Sequence, residues 1–146
     1  MSQENLSPIT INNQYIKDLS LEIPFAPAIF SELKTNPKTD IDINVNVNKL
    51  GDNNFAVELS TSINSNLEDK KFFVLEMTYG ASVTLNVPEE HIEPVLLVEI
   101  PRLLFPFLRN TIATTMANGG LPTFLLNPID FLALYNAKKQ NGEAVN

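Results

Sequence analysis

Residues 101–135, PRLLFPFLRNTIATTMANGGLPTFLLNPIDFLALY, carry most of the apolar surface of this 146-residue chain. Apolar side chains recur at every fourth residue from Leu104 to Met116, and this spacing predicts one buried face of a helix. The pair Gly119 and Gly120 predicts its end, because glycine reaches the left-handed conformation without a Cβ clash. The stretch therefore predicts a helix followed by a sharp stop.

A second helix is predicted after the glycine pair. Asn127 can cap it, Pro128 suits its first position, and Asp130 falls in the first turn, where the helix dipole favours an acid. The sequence leaves one point open. Pro101 and Pro106 either kink a single long helix or separate the apolar segment at 94–100 from the helix at 101–117.

Four strands are predicted ahead of the helices. Apolar and polar residues alternate over 40–50 and again from residue 55, with a Gly-Asp-Asn-Asn turn between them, so the two segments predict a hairpin. Residues 11–23 and 71–87 predict the other two strands. Strands followed by helices predict an α+β fold, in which C-terminal helices pack on one face of a four-stranded antiparallel sheet.

Alternation in the first strand separates an apolar face from an acidic one. It places Tyr15, Leu19 and Leu21 on one side and Asp18 and Glu22 on the other. Other acidic residues expected on the polar face of the sheet are Asp42, Glu58 and Glu76. Taken alone, these residues are explained by an ordinary solvated sheet face.

Composition limits the possible functions. The length and the apolar content of 44% predict one domain over 1–146, with loose ends at 1–10 and 136–146. A net charge of −7 disfavours nucleic acid and anionic membranes as partners but leaves open a basic protein partner. No apolar window is long enough to cross a bilayer, and the N-terminus does not resemble a secretory signal. We therefore expect a cytoplasmic protein without membrane insertion.

No arrangement of residues points to catalysis. The chain has no cysteine, and its one histidine, His91, stands among glutamates without a second histidine that could share a metal. Phosphate-binding and nucleophile motifs are also missing. The sequence therefore predicts no enzyme, no cofactor and no metal.

Two dense blocks of the chain resemble the SecB family of bacterial protein-export chaperones. One block is the stretch quoted above, through its Leu-Phe-Pro at 104–106, Arg109, the glycine pair, Asn127-Pro128 and Ala-Leu-Tyr at 133–135. The other is YIKDLSLEIP at 15–24, followed by Ala26-Pro27, and Phe-Val-Leu-Glu-Met at 73–77 fits the family's fourth strand. The resemblance covers nearly the whole chain, and it implies an ATP-independent chaperone that holds unfolded secretory precursors and delivers them to the motor SecA.

The resemblance also implies three surfaces. The family docks the C-terminal zinc-binding tail of SecA on its polar sheet face, where the matching positions here are Asp18, Glu22, Val74 and Glu76. Unfolded clients lie in a long apolar groove, for which the candidates are Phe25, Ile29, Phe30, Leu33, Ile41, Ile43, Leu134 and Tyr135. The family is a homotetramer, a dimer of dimers, and the candidate contact residues are Leu75, Met77 and Tyr79.

Two alternatives stay open. The composition is also compatible with a carrier that encloses a small apolar ligand or lipid between sheet and helices. A SecB-like chaperone dedicated to one toxin–antitoxin system is a variant of the leading hypothesis. The residues alone also do not separate true core from client groove.

Overall fold

The computed structural model describes residues 7–122 and 125–140. Four strands form one antiparallel sheet: β1 (Ile9–Glu22), β2 (Lys38–Gly51), β3 (Asn54–Leu67) and β4 (Lys70–Leu85). Their order is β1-β4-β3-β2, so β3 and β4 are central and β1 and β2 are edges. The predicted sheet and the predicted β2–β3 hairpin are confirmed.

The ends of the described chain are more ordered than the sequence predicts. Ile9 already pairs with Leu85 in β4, so β1 begins inside the segment 1–10 that was expected to be loose. The last helix likewise extends to Gln140, inside the expected tail at 136–146. The remainder of both segments, 1–6 and 141–146, lies outside the described residues.

The helical half follows one continuous path. It consists of α1 (Glu89–Pro94), a π-helical turn (Val95–Glu99) and α2 (Ile100–Asn118), and the backbone stays in the α region at both junctions. The amide of Ile100 donates to the carbonyl of Val95, five residues back. A widened turn at this place accommodates Pro101, which lacks an amide and crowds the preceding turn. The two segments that the sequence left undecided are therefore one helix.

The last helix, α3 (Phe131–Gln140), begins later than predicted. Its cap is Asp130, whose side-chain Oδ1 accepts a hydrogen bond from the amide of Ala133 at 3.0 Å. The prediction of Asn127 as cap and Pro128 as first helical residue is wrong, because both precede the helix. Aspartate and asparagine are about equally favoured as cap residues, so residue preference alone does not distinguish Asp130 from Asn127.

The helices cover one face of the sheet. α2 packs across β3 and β4, and its buried side chains follow the predicted fourfold spacing. The apolar side chains that meet on this covered face include Val57, Leu59, Ile63, Leu75, Met77, Val83, Leu104, Leu108 and Ile112. Within the described residues, no helix is both long enough and apolar enough to span a membrane.

Two bulges in β1 change which side chains reach each face. Asn12 and Lys17 are extra residues that have no partner in β4, and the alternation is reversed between them. Because one inserted residue reverses the alternation, Tyr15 lies on the polar face, opposite Gly80, and Ile16 joins Leu19 on the helix-covered face. The prediction that Tyr15 and Leu19 share a face is therefore wrong.

Gly120 ends α2 in the left-handed region, with a φ of 75°. An alanine at this position would carry a Cβ clash that glycine avoids, so we expect Gly120→Ala to lower the free energy of unfolding by about 1–2 kcal/mol. Gly51→Ala is the matched control, since the nearest atom to its added Cβ is 4.0 Å away. Urea unfolding measures both variants, and equal losses would contradict the strain at Gly120.

Candidate functional site

The four predicted SecA-binding residues lie together on the uncovered face of the sheet. Ser20 pairs with Glu76, and the next pair on the same face is Glu22 with Val74. In the other direction, the next pair on this face is Asp18 with Thr78. Directly paired residues of neighbouring strands share a face, so three carboxylates surround one part of β1 and β4. We call this surface the acidic face.

The acidic face is continued by uncharged polar side chains. The hydroxyls of Ser60 and Thr78 lie 3.2 Å apart and form a hydrogen bond across β3 and β4. A shallow depression of about 240 Å³ extends from Asp18 and Glu76 to Asp42 on β2. The surface is therefore acidic at both sides of a row of hydroxyls.

Glu58 does not add a free charge to this face. Lys17, the bulge residue, donates a hydrogen bond from Nζ to Glu58 Oε2 at 2.9 Å. The hydrogen bond and the opposite charge of Glu58 raise the pKa of Lys17 above its ordinary value. Tyr15 packs over Gly80 beside this pair, at a distance that leaves no room for a Cβ. Glu58, predicted as one of the acidic residues, is thus neutralised within the sheet.

The predicted groove residues divide into core and surface. Ile29 is fully buried, and Tyr135 is buried with its hydroxyl donating to Glu93 Oε1 at 2.9 Å. Phe25 and Ile41 are about half exposed, at 47% and 49%. Phe30 is also exposed, at 36%, and the intermediate members are Leu33, Ile43 and Leu134. The exposed members are the ones that can contact another molecule.

The crossover, residues 23–37 between β1 and β2, is anchored at the start of β4. It contains a short 3₁₀ turn (Ala28–Glu32). The ring of Phe30 meets the ring of Phe72 edge-on at 6.4 Å. Lys70 pairs with Glu32 at 3.4 Å and lies 5.7 Å from the ring centre of Phe25. These contacts hold the exposed aromatic side chains of the crossover beside the sheet.

An open apolar recess of about 160 Å³ lies next to the crossover, where β2 begins, β3 ends and α2 ends. A bulge in β4 shapes it: Phe72 is an extra residue between Lys71 and Phe73. A bulge re-aims a side chain, so two consecutive phenylalanines line one hollow. The full lining is Pro37, Thr39, Ser65, Phe72, Phe73, Met116 and Pro122. We call it the apolar recess.

The predicted oligomer-contact residues lie inside the subunit. Leu75 and Met77 are 0% and 1% exposed beneath α2, and Tyr79 is also buried. These positions are those of core side chains, because α2 already covers the face to which they point. The helix that covers them accounts for their apolar character, as expected for a central strand.

A different set of apolar side chains is exposed next to them. Phe107 stacks on Tyr79 with ring centres 6.1 Å apart and planes 7° from parallel. Ile16 is the strand partner of Tyr79, so β1 and α2 present one continuous surface. Its members, each 39–50% exposed, are Ile16, Leu19, Leu103 and Phe107. We call this surface the outer apolar patch.

Sequence reasoning missed the apolar recess and most of the outer apolar patch. The adjacent Phe72 and Phe73 were a signal, since consecutive aromatic residues break strict alternation. Leu103 and Phe107 lie beside the buried stripe of α2 and are not part of it. Their position one turn apart, flanking that stripe, is the pattern of a second contact surface.

Comparison with known proteins identifies the family. The family model described as "Preprotein translocase subunit SecB" matches residues 2–142. The "Protein-export protein SecB" of Paramagnetospirillum magneticum is 50% identical over 136 residues, which cover 92% of this chain and 88% of the relative. The protein of the same name from Rhodospirillum rubrum is 43% identical over 138 residues, covering 94% and 86%.

A solved structure has the same fold. The Mycobacterium tuberculosis Rv1957 SecB-like chaperone, in complex with a ChAD peptide from the Rv1956 HigA1 antitoxin, superposes with a TM-score of 0.67 at 14% identity. The match covers 84% of this chain and 91% of that one. Because the family model spans almost the whole chain and the relatives match it nearly end to end, this chain belongs to the SecB family of protein-export chaperones.

Proposed function

We propose that this chain is an ATP-independent chaperone that captures unfolded secretory precursors in the cytoplasm and passes them to SecA. The observation that carries the proposal is a set of apolar side chains, from the exposed residues of the crossover and β2 to the apolar recess, that remain accessible beside a packed core. Exposed apolar clusters of this kind are typical of interaction sites. An unfolded chain offers complementary apolar segments, whereas a folded protein has buried them.

Binding strength requires several contacts at once. A buried side chain of leucine size contributes roughly 1.5–3 kcal/mol, while association and ordering cost on the order of 4–15 kcal/mol. One recess therefore cannot retain a disordered chain. Several such sites on linked subunits can, because each further contact forms at high effective concentration.

This arithmetic supports an assembly of linked subunits as the working form, and for that assembly we propose the homotetramer, a dimer of dimers, that the family resemblance implies. The outer apolar patch is the surface that we assign to contact between copies, because it combines a large aromatic residue with aliphatic neighbours. It lies beside β1, an edge strand whose outer backbone groups have no partner in the sheet. Together the edge and the patch form a place where a second copy can pack.

The size of the recess disfavours a lipid carrier. At about 160 Å³ it has room for a single aromatic ring, since a cavity of about 150 Å³ accommodates benzene. A lipid chain is far larger. The open recess therefore supports capture of side chains from a polypeptide.

The acidic face supports the handover to SecA. Carboxylates on a rigid sheet complement lysine and arginine of a basic tail and accelerate its encounter. Exposed ion pairs contribute only about 0–1 kcal/mol each, so the contact needs several of them. It must also weaken as salt screens the charges.

The acidic face is tested with the variant Asp18→Asn/Glu76→Gln. We expect it to weaken binding of a zinc-loaded SecA tail peptide by about 5- to 30-fold at low salt, because two exposed ion pairs are lost. Capture of an unfolded precursor should stay unchanged, since the substituted residues are distant in the fold from the recess. Calorimetry with the peptide and a refolding assay with the precursor measure the two activities separately.

Glu89→Gln/Glu90→Gln is the matched control. It removes the same net charge from exposed positions of α1, in the helical layer. If both variants weaken binding of the peptide equally, the effect comes from net charge and the assignment of the acidic face fails. Unchanged peptide affinity in the first variant would have the same consequence.

A further inference from the structure

We infer that the apolar recess selects tyrosine side chains of clients over phenylalanine, through the hydroxyls of Thr39 and Ser65. The inference rests on the proposed client binding and adds to it a chemical preference. Its basis is a polar pair inside an otherwise apolar hollow. The two hydroxyl oxygens lie 3.0 Å apart and share one hydrogen bond.

The position of the pair is set by the sheet. Thr39 and Ser65 are direct partners of β2 and β3, and Ser65 is also the partner of Phe73 in β4. Directly paired side chains share a face, so the hydroxyls stand in one row with the phenylalanine ring that lines the recess. Ser65 is 1% exposed, and Thr39 lies nearer to solvent. The hydroxyls thus extend from the floor to the rim.

The hydroxyls of Thr39 and Ser65 retain donor and acceptor positions beyond the bond that joins them. Two hydroxyls bring two donors and four acceptor positions, and the bond that joins them uses one of each. In the open recess, water can satisfy the remainder. A ring that fills the recess displaces that water, and the hydroxyls then depend on the ring for a partner.

Phenylalanine and tyrosine differ in this respect. Either ring fits the volume and contacts the apolar lining of Phe72, Phe73 and Met116. A phenyl ring leaves the hydroxyls with an unmet bond, and a group left unsatisfied on burial opposes binding. A phenol supplies both a donor and an acceptor at its tip. Sites built around a hydroxyl partner discriminate against analogues that lack it.

The direct test uses the two side chains as free molecules. We expect p-cresol to bind the full-length protein about 3- to 10-fold more tightly than toluene, measured from the shift of the Met116 methyl signal in NMR titrations. In Thr39→Val/Ser65→Ala the ratio should fall to about 1, because both hydroxyls are gone while the volume of the lining is nearly kept. Equal binding of the two molecules to the unsubstituted protein would overturn the inference.

Two control variants separate recognition from a general loss of structure. Thr39→Ser keeps both hydroxyls and should keep the preference. Ser62→Ala removes a hydroxyl from the opposite face of the sheet and should also keep it. The amide spectrum of the same samples reports whether each variant is folded. A preference that persists in Thr39→Val/Ser65→Ala would contradict the assigned role.

A second arm uses unfolded peptides that differ only in one tyrosine or phenylalanine. Tighter binding of the tyrosine peptide, abolished in Thr39→Val/Ser65→Ala, supports the inference in the setting of a client. Equal binding of both peptides overturns it and leaves the chaperone function standing. A preference for p-cresol with no binding of either peptide supports the chemistry of the recess and counts instead against the proposed client binding.

Discussion

Phe107→Asp should convert the assembled protein into a smaller species. If Phe107 lies at the contact between copies, the substitution places a carboxylate where an aromatic ring is buried, and burial of an unpaired charge is strongly unfavourable. In the isolated subunit the same side chain is 50% exposed, so the fold tolerates the change. It loses the stacking on Tyr79, which we expect to lower the free energy of unfolding by no more than about 0.5–1.5 kcal/mol.

Light scattering coupled to size-exclusion chromatography measures this result. The unsubstituted protein should elute with the mass of four chains, and Phe107→Asp with that of one or two. Leu103→Asp is an independent test of the same patch, because Leu103 is equally exposed and its removal leaves the stacked ring pair in place. Leu50→Asp is the control, since Leu50 is 60% exposed at the far end of the β2–β3 hairpin.

Persistence of the full mass in both patch variants would exclude the outer apolar patch as the contact. If the unsubstituted protein elutes with the mass of one chain, that result would count against any assembled form. In that case the recess would have to hold clients alone, and the energetic argument for linked sites would fail.

Regular periodicity made most of the fold predictable. Strict alternation identified β2 and β3, and their register has no interruption from Lys38 to Lys49. Fourfold spacing identified the buried face of α2, from Leu104 to Met116. In both cases a repeated local pattern and the tertiary packing agree, which is the condition under which sequence reasoning succeeds.

The bulges were not predictable in the same way. Extra residues at Asn12 and Lys17 reverse the alternation of the part of β1 between them, and another at Phe72 aligns two aromatic side chains. All depend on how β4 pairs with its two neighbours, and a local window of sequence does not contain that information. They are also the features that shape the outer apolar patch and the apolar recess. The candidate surfaces therefore lie where periodicity fails.

Burial depended on tertiary contacts as well. Apolar residues on both faces of β4, around residues 72–77, predicted either a central strand or a strand at a subunit contact, but they did not say which neighbour covers Leu75 and Met77. A strand that is apolar on both faces is equally compatible with a covering helix and with a second subunit. In the structure, α2 is the element that covers these two residues. The acidic residues were easier to place, because polar side chains on a half-covered sheet have only one face available.

Capture of unfolded chains should fall about tenfold or more in Ile41→Asp. Ile41 is 49% exposed on the helix-covered face of the edge strand β2, two residues after Thr39 of the recess. A contact worth roughly 1.5 kcal/mol or more when buried against a client corresponds to about a tenfold change in affinity. In an assembly of identical subunits the substitution removes that contact at every site, so the loss grows with the number of sites a client spans.

Two assays measure the effect: fluorescence anisotropy of a labelled, permanently unfolded polypeptide, and the delay in refolding of a denatured precursor. Leu50→Asp carries the same charge at a comparably exposed leucine outside the predicted groove and should leave both unchanged. Ile29→Asp is expected to unfold the protein, because Ile29 is a fully buried residue of the crossover. A loss of capture identifies Ile41 as a binding side chain, and not as a core side chain, only if Ile41→Asp unfolds at a temperature close to that of Leu50→Asp. A folded Ile41→Asp protein that still delays refolding to the normal extent would show that clients bind elsewhere on the molecule.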